Sequence, residues 1–456
     1  MSDDEHVKSG RLKRLSKMAW LTARTTGDLL AGKAKRSLGG GEPKEGASPE
    51  MTRAAERILE TLGDLKGAAL KLGQALAMDP DALPPEARKI VAKLLSQAPQ
   101  RMPYERVRQA IIEELGKPPE ELYARFDQEP IAAASLGQVH SAKLPDSLGG
   151  HEVVVKVQYP GVDKALEADM ANAGTLVKGI ALGGDSVDGR PYYEEIKASL
   201  LGELDYLSEA KQALRYRRAA QNYPELVVPE AILERSSKKV LTLTRLIGPS
   251  LMEVIEAKPD EAERYRVGLL MILAIWGPFY SARIVHADPH PGNFLVLPDG
   301  RLGVLDFGAT RLLSKQFAEV YRSFLSAHAH DRGRPEVGPN LIKAGFRFIE
   351  DREIDEDDLY AFVNQLADIV ERPILTDHDY DFGQDPMVKE ARLLFQANPR
   401  MALRIKPPAE AVLFYRAVAG LAQDLRLLGA KGRFRPIIRE IESRGILPDE
   451  AVDSAR

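Results

Sequence analysis

Apolar residues Ile58, Leu59, Leu62, Leu65, Ala69, Leu72 and Leu76 recur at helical spacing behind Ser48-Pro49, an N-cap followed by a first-turn proline. A helix is therefore predicted from there to about Met78, broken by Pro80, Pro84 and Pro85. Shorter helical patterns follow at about Glu86–Leu95 and Tyr104–Leu115. From Ile131 the period changes. Strands are predicted at Val139–Lys143 and Val153–Gln158, with a turn over Asp146–Gly150 between them. Helices are predicted over Val162–Lys178 and Tyr192–Gln221, and strands again near Ala231–Glu234 and Val240–Thr244. From Pro249 onward the pattern is mostly helical, interrupted by strands around Phe294–Leu297 and Leu302–Leu305. The longest uncharged run, Val267–Ala282, holds Pro278 and falls short of the ~20 apolar residues of a membrane span. It reads as a buried helix of a large lobe.

Composition narrows the classes. With 456 residues there is room for two domains, or for one two-lobed domain with an extension. The formal net charge of -4 advertises no nucleic-acid partner. The chain has no Cys, which excludes disulfides, Cys-ligated zinc, iron–sulfur clusters and thiol nucleophiles. The first residues are polar and basic without an apolar core, so no secretory signal is read and a soluble, cytoplasmic protein is expected. Nine Lys or Arg lie between Lys8 and Arg36 against one acid, Asp28, with Leu12, Leu15 and Met18 at helical spacing. Such a segment suits peripheral attachment to an anionic membrane or docking to a partner; a solvated, partly helical tail is the plainer reading. The expected organisation is a basic tail and Gly-rich linker (1–47), a helical extension (48–125), a small mixed lobe (126–246) and a mainly helical lobe (247–456).

The chemistry concentrates in a few places. Ala132-Ala133-Ala134-Ser135-Leu-Gly137-Gln-Val139 has the spacing of a kinase glycine loop, with alanines for the first two glycines. Such a loop brings backbone N–H groups to phosphate oxygens, and Ser135 adds a hydroxyl. An alanine-rich turn at a strand start is the plainer reading. Lys156 follows inside the apolar run Val153–Val157, where a cation needs a phosphate or carboxylate partner unless it snorkels from an edge strand. Glu209 is the carboxylate chosen for it. Asp205 lies four residues before Glu209 on the same expected helix face, with Glu203 displaced around it; both are of a kind that is usually solvated.

Asp288 and Asn293 sit in His286-Ala-Asp-Pro-His-Pro-Gly-Asn293, too rich in Pro and Gly for a helix and suited to a rigid loop. Asp306 follows the predicted strand Leu302–Leu305. Asn293 and Asp306 supply hard oxygen ligands suited to Mg²⁺ or Mn²⁺, and Asp288 can face the reacting centre. His286 reads as loop packing; His290 reads as a phosphate contact or a structural hydrogen bond. Asp381-Phe-Gly383 repeats the Asp306-Phe-Gly308 tripeptide after a polar stretch and reads as a turn. The tripeptide alone is unspecific; the ordered set is not.

These segments resemble the UbiB family of atypical kinases, also called AarF-like or ADCK-like. The resemblance rests on the alanine-rich loop followed by His140, Lys71-Leu-Gly-Gln74, Glu203-Leu-Asp205, His286–Asn293 and Asp306-Phe-Gly308, and covers about Thr52 to Arg311. It implies an α+β, protein-kinase-like two-lobed fold with a helical extension packed over the active site. It also implies that Lys71, read from sequence alone as a structural polar-face lysine beside Gly73, and Gln74 enter the nucleotide site and meet Glu203 and Asp205. ATP or ADP with Mg²⁺, restrained phosphoryl transfer and a link to isoprenoid-quinone or lipid metabolism are further implications, with quinone-biosynthesis proteins as partners. The chain departs from the family in lacking an apolar C-terminal segment over Lys431–Arg456, and in placing Thr244 where relatives often have Glu; backbone contacts to adenine at Thr244 would survive that change. The function expected is an ATP-dependent ATPase or atypical kinase. The alternatives are a true protein or small-molecule kinase and a nucleotide-gated binding module with negligible turnover.

Overall fold

The computed structural model describes residues 101–134, 136–164, 202, 204–330, 332–349, 355–375 and 377–453. The helices expected over Ser48–Met78 and Glu86–Leu95, most of Val162–Lys178 and the start of Tyr192–Gln221 lie outside these residues. So do Lys71, Gln74, Ser135 and Glu203. The chain divides into two compact units, Met1–Ala142 with Val155–Leu204, and Lys143–Val154 with Asp205–Arg456.

In the first unit, α1 (Tyr104–Leu115) buries Val107 and Ile111, one turn apart, and ends at Gly116. Gly116 takes φ 76°, a left-handed C-cap that favours glycine, and returns its N–H to the Ile112 carbonyl. After the short helix α2 (Pro119–Leu122) come β1 (Arg125–Ala134), β2 (Gly137–Lys143) and β3 (Glu152–Gln158), neighbours in that order. Strand β1 was not expected. It carries the alanines Ala132–Ala134 in extended backbone, so the expected loop is a β-hairpin with two residues between its strands. Gly137 is required by packing: a Cβ there would lie 2.2 Å from the Val157 carbonyl oxygen. Gln138 and His140 turn inward. Gln138 Oε1 accepts the Met102 N–H, its Nε2 donates to His140 Nε2, and His140 Nδ1–H donates to the Asp127 carbonyl. Burial holds the His140 imidazole below its usual pKa, so it stays neutral in this network.

In the second unit, the first residues of β3 neighbour β5 (Val240–Thr244). Helix α3 (Tyr206–Ala219) starts later than its apolar period suggests. Asp205 is extended (φ -110°, ψ 91°), and its side chain caps the helix by accepting the Ser208 N–H. The single helix expected over Tyr192–Gln221 is thus interrupted, and Asp205 and Glu209 do not share a continuous helical face. The strand expected at Ala231–Glu234 is one bridge, Ala231 to Leu243, followed by a 3-10 turn at Leu233–Arg235. The Ser236 hydroxyl accounts for the turn: it donates to the Ile232 carbonyl and accepts the Thr242 N–H.

Beyond β4 (Leu226–Val227) and α4 (Leu251–Ala257) runs α5 (Glu261–Ala282), the axis of the unit. By length and composition α5 is able to cross a membrane, but 78% of its most apolar window is buried against the unit's own core. Next come β6 (Ile284–His286), β7 (Phe294–Val296), β8 (Leu302–Val304) and β9 (Thr310–Leu312). Strands β7 and β8 pair antiparallel, β6 and β9 pair antiparallel, and β4 pairs parallel to β8. Strands β7 and β8 follow the expected pattern; β4, β6 and β9 were not expected.

The remaining helices are α6 (Lys315–Ala329), α7 (Val337–Lys343), α8 (Glu356–Leu375), α9 (Met387–Ala397), α10 (Pro399–Arg404), α11 (Ala409–Leu428), α12 (Arg435–Ser443) and α13 (Asp449–Asp453). Phe279, Phe317 and Tyr321 pack tilted or edge-on against Phe414 where α5, α6 and α11 meet. Just past α12, Arg444 donates through both guanidinium arms to Glu225 at 2.7 and 2.8 Å. It lies over the Tyr223 ring and exchanges further bonds with Asn222, 222 residues away along the chain. The Arg444 hydrogen bonds hold the Glu225 carboxyl below its usual range. The Glu225 carbonyl in turn accepts the Leu302 N–H at the start of β8.

Candidate functional site

Two strand pairs of the second unit open toward one place. In the β7–β8 hairpin Phe294 faces Val304, and the Leu305 N–H donates to the Asn293 carbonyl at 2.8 Å. Asn293, just before β7, and Asp306, just after β8, therefore stand side by side at the open end. In the other pair His286 faces Thr310, so the segment leaving β6 emerges beside the one entering β9. His286 locks the two pairs together. Its buried ring donates from Nε2 toward the carbonyls of Leu305 (3.0 Å) and Asp306 (2.7 Å).

The segment after His286 folds back sharply. The His290 N–H reaches the Asp288 carbonyl at 2.8 Å, and Pro291–Asn293 makes a single 3-10 turn. His290 Nδ1 accepts the Gly292 N–H at 3.0 Å, a structural bond within the turn. The Asn293 amide donates to the Asp288 carbonyl at 2.9 Å and to its carboxylate Oδ2 at 3.3 Å. That fixes the amide: nitrogen toward Asp288, oxygen away from it. Asp306 is one of three non-glycine residues with positive φ among the described residues, at 54°. Aspartate tolerates this region better than most residues, and such backbone gathers at functional sites. Its Oδ1 accepts the Gly308 N–H at 3.3 Å, and Phe307 is fully buried beside His286 and Tyr216.

Arg416 and Asp424 complete the surroundings from α11. Arg416 Nη2 pairs with Asp288 Oδ1 at 3.0 Å, so both Asp288 carboxylate oxygens are engaged. Two turns on, Asp424 is 1% exposed, and neither of its carboxyl oxygens has a hydrogen-bond partner among the described residues. Burial, reinforced by the nearby charge of Asp288, raises its pKa well above the usual carboxylate value. Neither residue belongs to a motif, and Arg416 is 128 residues from Asp288. Asp424 did leave a signal, standing in phase with the buried Ala417, Leu421 and Leu428 of an apolar helix face.

The other expected site residues are placed as follows. Lys156 is half-buried on β3 in the first unit, on the strand face opposite the buried Val155 and Val157. Ala132, Ala133, Ala134, Gly137 and Val139 belong to the β1–β2 hairpin of that unit. Glu209 is 4% exposed in the first turn of α3 in the second unit, and the Asp205 carboxylate is occupied as the N-cap of that helix. Thr244 ends β5 with its N–H on the Glu230 carbonyl and its hydroxyl accepting the Glu230 N–H. That N–H is thus already committed.

The donor set fits a hard divalent cation. Asp306 offers a carboxylate and Asn293 an amide oxygen turned away from Asp288, both oxygen ligands of the kind Mg²⁺ takes. Among the described residues no group of three or more His, Asp or Glu forms a closed cage. An ion there would share its coordination with phosphate and water, as Mg²⁺ commonly does.

Comparison with known proteins agrees with this architecture. The family model described as ABC1 atypical kinase-like domain matches residues 93–334. The mitochondrial atypical kinase COQ8B of Rattus norvegicus is 30% identical over 425 residues, covering 92% of this chain and 78% of its own. The mitochondrial atypical kinase coq-8 of Caenorhabditis elegans is 28% identical over 465 residues, or 99% of this chain. The chain spans 60% of the length of that relative, and 66% of the Danio rerio COQ8B. A solved structure, the complex of Rv3197 with erythromycin from Mycobacterium tuberculosis, superimposes with a TM-score of 0.58 at 26% identity. That match covers 88% of this chain and 97% of the other. The fold is that of the atypical kinases. The chain belongs to the ABC1 family among them, also called UbiB or ADCK-like.

Proposed function

We propose that this protein binds ATP with Mg²⁺ and acts as an ATPase or atypical kinase in isoprenoid-quinone or lipid metabolism. The observation that carries the reading is the convergence of Asp288, Asn293 and Asp306 at the open ends of two locked strand pairs. Asn293 and Asp306 would hold Mg²⁺, which when bound draws charge from the phosphate oxygens. On the family resemblance, Lys156 would neutralise phosphate charge. On the same resemblance, Lys71, Gln74, Glu203 and Asp205 would restrict the acceptor. Asp288, with Oδ1 held by Arg416, is suited to aligning a water or hydroxyl acceptor.

The double engagement of Asp288 also favours a second reading, a nucleotide-gated binding module with little turnover. One experiment separates them. Purified protein is titrated with ATP and Mg²⁺, following both the thermal midpoint and phosphate release, alone and with anionic liposomes. A metal-dependent rise in midpoint with phosphate release above that of Asp288→Asn supports the enzyme. The rise without release supports the module. No rise with either metal ion removes both readings.

A further inference from the structure

The ring that grips Asp306 is held at one nitrogen only. His286 Nε2 donates to the carbonyls of Leu305 and Asp306, which leaves Nδ1 as the accepting nitrogen of the neutral ring. Nδ1 is buried and has no hydrogen-bond partner among the described residues. A buried acceptor is costly to leave unmade, and the bond at one ring nitrogen sets the role of the other.

Few donors surround the ring. Phe294 and Phe307 pack on it at 5.8 Å and bring none. Tyr216 meets it edge-on at 5.9 Å, but the Tyr216 hydroxyl is committed to the Ala274 carbonyl at 2.6 Å. Thr310 stands directly opposite His286 in the β6–β9 pair. It is fully buried, and its Oγ1 likewise has no partner among the described residues. Directly opposed residues of an antiparallel pair share a face, with Cβ atoms about 4.5–5.5 Å apart. A hydroxyl one bond beyond Cβ and a ring nitrogen two bonds beyond it span that gap with a single hydrogen bond. Thr310 is tied to the site through its backbone as well, since its N–H donates to the Phe307 carbonyl at 3.0 Å and closes the turn after Asp306.

We propose that Thr310 is a positioning residue for the site at Asp306: its hydroxyl, in the χ1 rotamer that reaches across the strand pair, donates to His286 Nδ1. The line of support then runs from Thr310 Oγ1 through the imidazole to the Asp306 carbonyl. Asp306 has need of it, because its backbone lies at φ 54° without a glycine's freedom. Removing the outer hydrogen-bond partner that orients a metal site commonly costs about 10–100-fold in metal affinity. The effect on metal rests on the Mg²⁺ reading of Asn293 and Asp306; the hydrogen bond does not.

The test joins nitrogen NMR to a Mg²⁺ titration of the full chain. Long-range proton–nitrogen spectra of histidine-labelled protein, with His286 identified by its loss in His286→Gln, should show an Nε2–H ring whose Nδ1 accepts a hydrogen bond. Thr310→Val, which keeps the branched shape, should move the Nδ1 resonance toward that of an unbonded ring nitrogen, and Thr310→Ser should bring it back. The Mg²⁺ concentration that half-saturates the ATP-dependent rise in thermal midpoint should climb roughly tenfold in Thr310→Val and recover in Thr310→Ser. A merely structural threonine would lower the nucleotide-free midpoint on substitution and leave both the resonance and the Mg²⁺ requirement alone, which overturns the proposal. A resonance that moves while the Mg²⁺ requirement stays overturns the positioning role. So does a wild-type spectrum with Nδ1 unbonded or protonated, a measurement that needs no Thr310 variant to fold. Absence of any Mg²⁺-dependent response in wild type would remove the nucleotide reading instead, and the Nδ1 resonance alone would then decide the bond between Thr310 and His286.

Discussion

Asp306-Phe-Gly308 and Asp381-Phe-Gly383 are the same tripeptide in two settings, and locally they behave alike. In each the glycine N–H donates to the aspartate Oδ1, at 3.3 and 2.9 Å, and in each the phenylalanine is buried among aromatic rings. Beyond that they part. Asp381 is the last residue of a two-residue strand, paired opposite Lys431, and its phenylalanine packs on Tyr380 and Phe434. Asp306 sits in left-handed backbone between two strand pairs, with Asn293 beside it and His286 gripping its carbonyl. The tripeptide supplies a turn and a plug. What lies opposite supplies the chemistry.

The largest effect should be one the two copies share. Phe307→Ala and Phe382→Ala each empty a buried aromatic position and should cost about 3–5 kcal/mol in denaturant unfolding. A cost confined to Phe307 would break the claim that both are plugs. Asp306→Asn comes next: it should abolish the Mg²⁺-dependent rise in melting midpoint with ATP and lower phosphate release on the order of 100-fold. Retention of both would strip the copy of its special role.

A smaller effect tests the surroundings of the first copy. Because the folded pKa of Asp424 is raised, its stabilising contribution is complete below the unfolded value of about 4 and is lost as pH climbs toward the folded one. Asp424→Asn, which cannot ionise, should therefore melt above wild type by a margin that is larger at pH 7 than at pH 5. Equal margins at both pH values would mean that the carboxyl has a partner in solution. Smallest of all, Asp381→Asn should leave the ATP response and phosphate release unchanged and shift stability by no more than about 0.5 kcal/mol. A lost nucleotide response would make it the functional copy.

The contrast between the copies was legible in the chain because it is a matter of neighbours in sequence. An apolar strand precedes Asp306 and a polar stretch precedes Asp381, and the hairpin implied by Phe294–Leu297 and Leu302–Leu305 already sets Asn293 beside Asp306. Arg416 was not legible, and of Asp424 only its place on the apolar face of α11 was, since the relation of both to Asp288 is made by packing α11 across the unit. The break before α3 was hidden for another reason. The apolar period runs on through Asp205, and only the competition of its side chain for the Ser208 N–H ends the helix there. Strands β6 and β9 are as short as β7 and β8, but they pair across the entire β7–β8 hairpin, so no local turn marks them.

The clasp of Arg444 on Glu225 has a consequence for biosynthesis. The carbonyl of Glu225 anchors the first residue of β8, so the strand that delivers Asp306 leans on a residue whose side chain is claimed from the far end of the chain. As the chain leaves the ribosome, both aspartates of the site emerge well before the arginine that closes this loop. A ribosome stalled near residue 430 would hold a polypeptide with every proposed ligand present and the unit still unlatched. Truncation that removes Arg444 should accordingly yield protein that is degraded, not protein that is merely shorter.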